Sequence, residues 1–334
     1  MQTLILVLLS AAVLAVPAVQ VAVGAANGNG TLEIRGLTWR TIAYYYHPGI
    51  YREIYNPSSN RRFLAKAAQV GANWLHIRAF YNGTADGGLI GNDVEAQTAL
   101  GEAIAAAHAR GFKIFLSPYV DSHDYWVLKR WRLDEQLWTQ TVLGWARFAQ
   151  GNDVEMFSPG VEMSLIFDAD TAGEWLRQIL PQIRAVYEGQ IVTAEHPYLD
   201  RWETLDQHRA FEGYDGIGMT IFPWKRYDDG SHDIRSLEDF AADVQERVRI
   251  INYLGDKYGI ECRFVATLGM DFWQGGEPDP ITLVQGYGLA LDVLAQAGPS
   301  GAFLHLWASE PDHLGESTAV EKMLTARWTG AVND

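Results

Sequence analysis

VEAQTALGEAIAAAHARGFKIFLSPYVD, residues 94–121, reads as one structural unit. An alanine- and leucine-rich helical pattern runs to Arg110, and Gly111 supplies the expected stop. An apolar run, KIFLSPYV at 113–120, then follows at once. It is too short for a second helix and rich in the aromatic and β-branched residues that suit a buried strand. A helix handing directly to a buried strand is half of a βαβ unit, whose strands lie parallel.

The same unit recurs along the chain. Strands are predicted at 33–39, 73–80, 113–120, 154–163, 190–196, 216–222, 263–269 and 301–307. Helical patterns lie between them, at 59–71, 94–111, 134–150, 172–189, 237–259 and 280–298, several ending in glycine just before the next strand. No repeat, linker or low-complexity stretch divides the chain. Eight βα units in one α/β domain predict a closed (β/α)8 TIM barrel, with its site at the C-terminal ends of the strands. A doubly wound open sheet is the alternative. RGLTWRTIAY, residues 35–44, has no G-x-G-x-x-G, and no G-x-x-x-x-G-K occurs, so nucleotide binding is not expected.

The 334 residues carry 48% hydrophobic residues, ample for a core, and a net charge of −15. That charge argues against nucleic acid or an anionic membrane surface as partner and suits a protein handling neutral ligands. A monomer is expected. With one cysteine, Cys262, there is no disulfide framework and no cysteine-based zinc site, and Cys262 is expected to be a packed strand residue. The first charged residue is Glu33. Before it LILVLLSAAVLAVPAVQVAVGAA, residues 4–26, is nearly all apolar. It reads as a secretory signal or an N-terminal membrane anchor, and Gly24-Ala25-Ala26 favours cleavage before NGNGT. Residues 27–334 then form the mature domain, secreted or held outside the cytoplasm. Asn29-Gly30-Thr31 and Asn82-Gly83-Thr84 match the glycosylation acceptor pattern.

In a barrel the polar residues at strand C-termini are the candidates for chemistry. Alternation places Trp74, His76, Arg78 and Phe80 on one face of strand 2. Arg78 there is either in a structural ion pair or holds a catalytic carboxylate ionised. Strand 3 ends in Tyr119 and Asp121, the latter serving the site or capping the next helix. Near the end of strand 4, Glu162 stands between Val161 and Met163. Poor solvation there would raise its pKa, as a general acid needs. Strand 5 ends in Glu195-His196. No third ligand at metal-binding spacing accompanies them, so neither a metal nor another cofactor is expected. Phe222 and Trp224 close strand 6, and Thr267 lies in strand 7 with Asp271 and Trp273 beyond it. Trp307 closes strand 8. Of the twelve tryptophans, Trp145 and Trp175 are expected to pack in the core. Trp224, Trp273 and Trp307 either pack or stack on sugar rings.

Three stretches carry a resemblance: HARGFKIFLSPYVD at 108–121, FSPGVEMS with the helix and strand through His196 at 157–196, and YDGIGMTIFPW at 214–224. They resemble the clan of (β/α)8 glycoside hydrolases with the acid/base on strand 4 and the nucleophile on strand 7. The likeness is closest to an endo-β-1,4-mannanase family, and the β-1,4-galactanases are similar at the last stretch. The resemblance spans about residues 33–310 and implies a carbohydrate substrate, with Glu162 at the acid/base position. Arg78 resembles the strand-2 arginine that neighbours the nucleophile. Glu162 and Thr267 are 105 residues apart (267 − 162), or three units, as a step from strand 4 to strand 7 requires. Two positions depart from the pattern: Thr267 stands where the family has glutamate, and Phe222 where the clan has a tyrosine that hydrogen-bonds it. A second carboxylate would then come from elsewhere, with Asp271 first and Glu195 and Asp121 next. The alternative is a barrel that binds carbohydrate without cleaving it.

Overall fold

The computed structural model describes residues 32–39, 50–84, 86–91, 94–121, 133–196, 201–222, 224–226, 232–234, 236–269, 282–305 and 318–330. Eight parallel strands form the barrel: β1 (Ile34–Thr38), β2 (Trp74–Gly83), β3 (Lys113–Asp121), β4 (Met156–Phe157), β5 (Gln190–Glu195), β6 (Gly216–Ile221), β7 (Cys262–Gly269) and β8 (Gly301–His305). Each pairs with its sequence neighbours, and β1 pairs with both β2 and β8, so the sheet closes on itself. The fold is a single (β/α)8 TIM barrel.

Among the described residues the helices of 7 residues or more are α1 (Pro57–Gln69), α2 (Val94–His108), α3 (Glu135–Gly151), α4 (Ala169–Arg184), α5 (Arg201–Gln207), α6 (Leu237–Tyr258), α7 (Leu283–Ala297) and α8 (Thr318–Thr329). Their starts are written in the sequence. Asn56, Asp134, Asp168, Ser236 and Thr282 each accept a backbone N–H of the first turn, and Gln285 completes a capping box with Thr282. No described helix is long and apolar enough to cross a membrane, and the apolar leader lies outside the described residues.

Alternation along each strand sorts the core into two layers. Leu75, Ile114, Ile191, Ile217 and Val265 face out and join the helices in the larger layer, which includes Trp145 and Trp175. Ile34, Trp74, Phe115, Met156, Val192, Phe264 and Phe303 face in and fill the barrel. Phe115 lies 5.1 Å from Phe303 and 5.8 Å from Phe264, between ring centroids. This aromatic plug is a solid floor, so any substrate must sit above it, at the strand C-termini. Cys262 starts β7, half-buried, its thiol pushed up to about 11 by burial.

The fourth strand corrects its sequence expectation. Only Met156–Phe157 is strand, not 154–163. Ser158 N–H still reaches the Leu116 carbonyl, but Pro159 has no N–H to give the ladder, and the Ser158 hydroxyl turns onto the Gly160 carbonyl. The chain rejoins the sheet when Glu162 N–H donates to the Ala194 carbonyl on β5, 2.7 Å away. Residues Met163–Ile166 then form one helical turn.

Candidate active site

Above the aromatic plug the inward positions turn polar. His76 is fully buried, stacked on Phe115 at 4.1 Å, with Nε2 2.8 Å from Ser117 Oγ. Burial first, then the positive charge of Arg78 and His305, hold its imidazole well below the usual range. Two residues further along β2, Arg78 donates from Nη2 to Thr267 Oγ1 at 2.6 Å, and its guanidinium lies 5.1 Å from the Tyr119 ring centre. The resemblance placed Arg78 beside the strand-7 position held by Thr267, and the structure brings the two side chains into contact.

Thr267 reaches Arg78 because β7 carries a bulge. Its pairing with β6 steps from Val265↔Met219 to Thr267↔Thr220, leaving Ala266 as the extra residue, and its pairing with β8 shifts over the same span. Phe264 and Ala266 face in, so strict alternation would send Thr267 outward. The bulge turns it inward beside Thr220. Thr220 Oγ1 in turn donates to Glu162 Oε1 at 2.6 Å. Glu162, Thr220, Thr267 and Arg78 therefore form a polar row linking the turn after β4 with β6, β7 and β2. Glu162 is half-buried, whereas Thr220, Thr267 and Arg78 are buried. Thr220 and Ser117 escaped the list of candidates. The signal for both was strand parity, which puts Ser117 with Tyr119 and Thr220 with Phe222.

Glu195 takes a different place. It falls on the outward side of β5 with Ile191, while Val192 and Ala194 face the barrel interior. Its carboxylate accepts the N–H groups of Met163 and Ser164, both at 3.2 Å, and it is 1% exposed. Burial is the largest influence on its pKa. The hydrogen bonds oppose burial and the charge of Glu162 adds to it, with the net result a rise from 4.5 to about 7. His196 is buried, and burial with the cations Arg247 and Arg201 holds it well below its usual pKa. Phe222 packs edge-on to His305 at 6.3 Å and lies over Gly269, at the rim. The structure thus brings Arg78, Tyr119, Glu162, Thr267 and Phe222 to the mouth of the barrel. It does not bring Glu195 to the inner face. Asp121 and Trp224 are placed at strand positions by their backbones alone, and Asp271, Trp273 and Trp307 lie outside the described residues. Among the described residues no cluster of three or more His, Cys, Asp or Glu side chains could hold a metal.

This barrel has solved counterparts. A GH113 β-1,4-mannanase superposes with a TM-score of 0.65 at 14% identity, over 90% of this chain and 100% of that one. The chain has the fold of the (β/α)8 glycoside hydrolases. A second glycoside hydrolase of that kind, the GH113 β-mannanase AaManA from Alicyclobacillus acidocaldarius, gives 0.64 at 13% identity over 92% and 99% of the two chains. A GH5 xyloglucan-specific endo-β-1,4-glucanase from a metagenomic library gives 0.58 at 14% identity, over 89% of this chain and 96% of that one. No protein-family model and no curated protein matches the sequence.

Proposed function

We propose that the protein is a secreted glycoside hydrolase that cleaves a β-linked polysaccharide or oligosaccharide of the mannan class, with Glu162 as general acid. The observation that carries the reading is the Glu162 carboxyl at the barrel mouth, bonded to Thr220 in the row that continues to Thr267 and Arg78. Similarity of fold to β-1,4-mannanases supports the substrate class. In the proposed reaction, Glu162 gives its proton to the glycosidic oxygen as that oxygen's bond to the anomeric carbon breaks. A water attacks the same carbon and loses its proton to a second carboxylate. β7, CRFVATLG, contains no carboxylate. A threonine hydroxyl with no adjacent base is a poor nucleophile, so the second group is assigned to Asp271, two residues past the end of β7 in the sequence. An inverting pair stands about 6.5–9.5 Å apart, leaving room for the water between the two carboxyl groups.

The same lack of a β7 carboxylate favours a second reading, a barrel that binds carbohydrate without cleaving it. One comparison separates the two. Activity on a panel of β-glycans, β-1,4-mannan included, should be present in the parent and fall about 10²–10⁴-fold in Glu162→Gln. Inactivity of the parent across the panel, with glycan affinity unchanged in Glu162→Gln, would instead establish the binding barrel. In an active parent, NMR of the first-formed anomer reports inversion, and loss of turnover in Asp271→Asn identifies the second carboxylate. Full turnover in Asp271→Asn would remove that assignment.

A further inference from the structure

Three non-glycine residues among the described ones have positive φ: Asp153 at 52°, Glu162 at 58° and Arg209 at 56°. Asp153 and Arg209 are exposed and follow the ends of α3 and α5, a common place for the left-handed conformation. Glu162 instead opens a helical turn. It is the N-cap of Met163–Ile166, with φ 58° and ψ 40°, where an N-cap residue ordinarily has extended backbone. Its side chain makes no capping bond. The capping is done by Glu195 from β5, whose two carboxylate oxygens accept from Met163 N–H and Ser164 N–H. On the far side of the turn, Arg201 Nη1 donates to the Ser164 carbonyl. The Glu162 backbone is further tied by its N–H to the Ala194 carbonyl, next to Glu195 in β5.

We propose that Glu195, with Arg201 on the far side of the turn, is a positioning residue for Glu162. It caps the turn in place of Glu162 and so leaves the Glu162 carboxyl directed at Thr220 and the substrate. The inference rests on the reading of Glu162 as proton donor. A residue at an N-cap would otherwise spend its side chain on the first-turn amides. Strained backbone of this kind persists only where its surroundings over-determine it, and Glu195, Arg201 and Ala194 do so here.

The test uses the full chain and does not depend on activity alone. A glutamine at position 195 offers one acceptor oxygen and turns an N–H2 toward the other amide, so it cannot hold both. In Glu195→Gln the backbone ¹³Cα and ¹³Cβ shifts of Glu162 should leave left-handed values. In the same variant kcat should fall about tenfold to a hundredfold, the scale of a misplaced catalytic group. KM should hold to within about threefold, because glycan contacts remain. Should Glu195→Gln not fold, Arg201→Met loosens the same turn from the other side, and the Glu162 shifts should move there too. Unchanged Glu162 shifts and unchanged kcat in a folded variant overturn the proposal. Full turnover in Glu162→Gln would mark a different failure, that of the proton-donor assignment, and the chemical shifts would still decide the clamp.

Discussion

At the scale of single residues, Glu162 and Glu195 show what one glutamate can do that another cannot. Both were candidates because each stands near a strand end. Glu162 sits in the barrel mouth against a hydroxyl, and Glu195 sits behind the strand against two amides. Strand 5 gave no way to foresee this. A parallel strand buried on both faces has no polar–apolar alternation to reveal which way Glu195 points. The burial of Glu195 has a consequence for stability. Its folded pKa is about 7 against 4.5 in the unfolded chain, so the native state binds its proton more tightly. That contribution is full below pH 4.5 and is lost as pH rises through about 7. The scale is about 3 kcal/mol from 2.5 pH units at 1.36 kcal/mol each. Glu195→Gln does not titrate. Melting temperature plotted against pH should therefore fall more steeply in the parent than in Glu195→Gln across this window. Parallel curves would show that Glu195 is ionised at the same pH in both states.

At the scale of elements, β7 depends on a bulge and on a glycine. The extra residue, Ala266, turns Thr267 inward to Arg78. The sequence FVATLG carries no sign of it, because a bulge is set by how neighbouring strands pair, and a one-residue slip reverses every side chain beyond it. Gly269 ends the strand under the Phe222 ring. A β-carbon there would lie 2.0 Å from Phe222 Cε1 and 2.4 Å from Cδ1. Gly269→Ala should push Phe222 off His305, at a cost of about 1–3 kcal/mol for overpacking. Urea denaturation should report that loss, together with weaker glycan binding if Phe222 lines the substrate path. Unchanged stability would mean that the ring moves freely. β4 is the opposite case, since its end is local: Pro159 and Gly160, which suit no central strand, follow it directly after Ser158.

At the scale of the whole molecule, stability depends on closure. β1 and β8 meet at Ile34↔Gly301, and Gly301 has φ 153° with room for nothing larger. A β-carbon would stand 1.9 Å from the Ile34 carbonyl oxygen, which is backbone and cannot rotate away. Gly301→Ala should cost the upper part of about 1–3 kcal/mol, seen as a drop of several degrees in the calorimetric melting temperature. The parent should melt as one unit, since every strand shares both neighbours. An unaltered melting temperature would show that the β1–β8 seam adjusts without penalty.

Much was legible because it is local. The count and order of the eight strands, the helix caps, the glycine stops and the inward face of β2 follow from residue periodicity and from short-range hydrogen bonding. These act within a few positions along the chain. The pairing of Arg78 with Thr267, 189 residues apart, was expected from resemblance and reached only through the bulge. The capping of one turn by a glutamate 32 residues on, and the row from Glu162 through Thr220, are relations between strands. The sequence determined a (β/α)8 barrel with a glutamate near the end of its fourth strand. Tertiary structure alone decided which side chains face that glutamate. Register, bulges and barrel closure fix those directions, and each depends on contacts between segments that are distant along the chain.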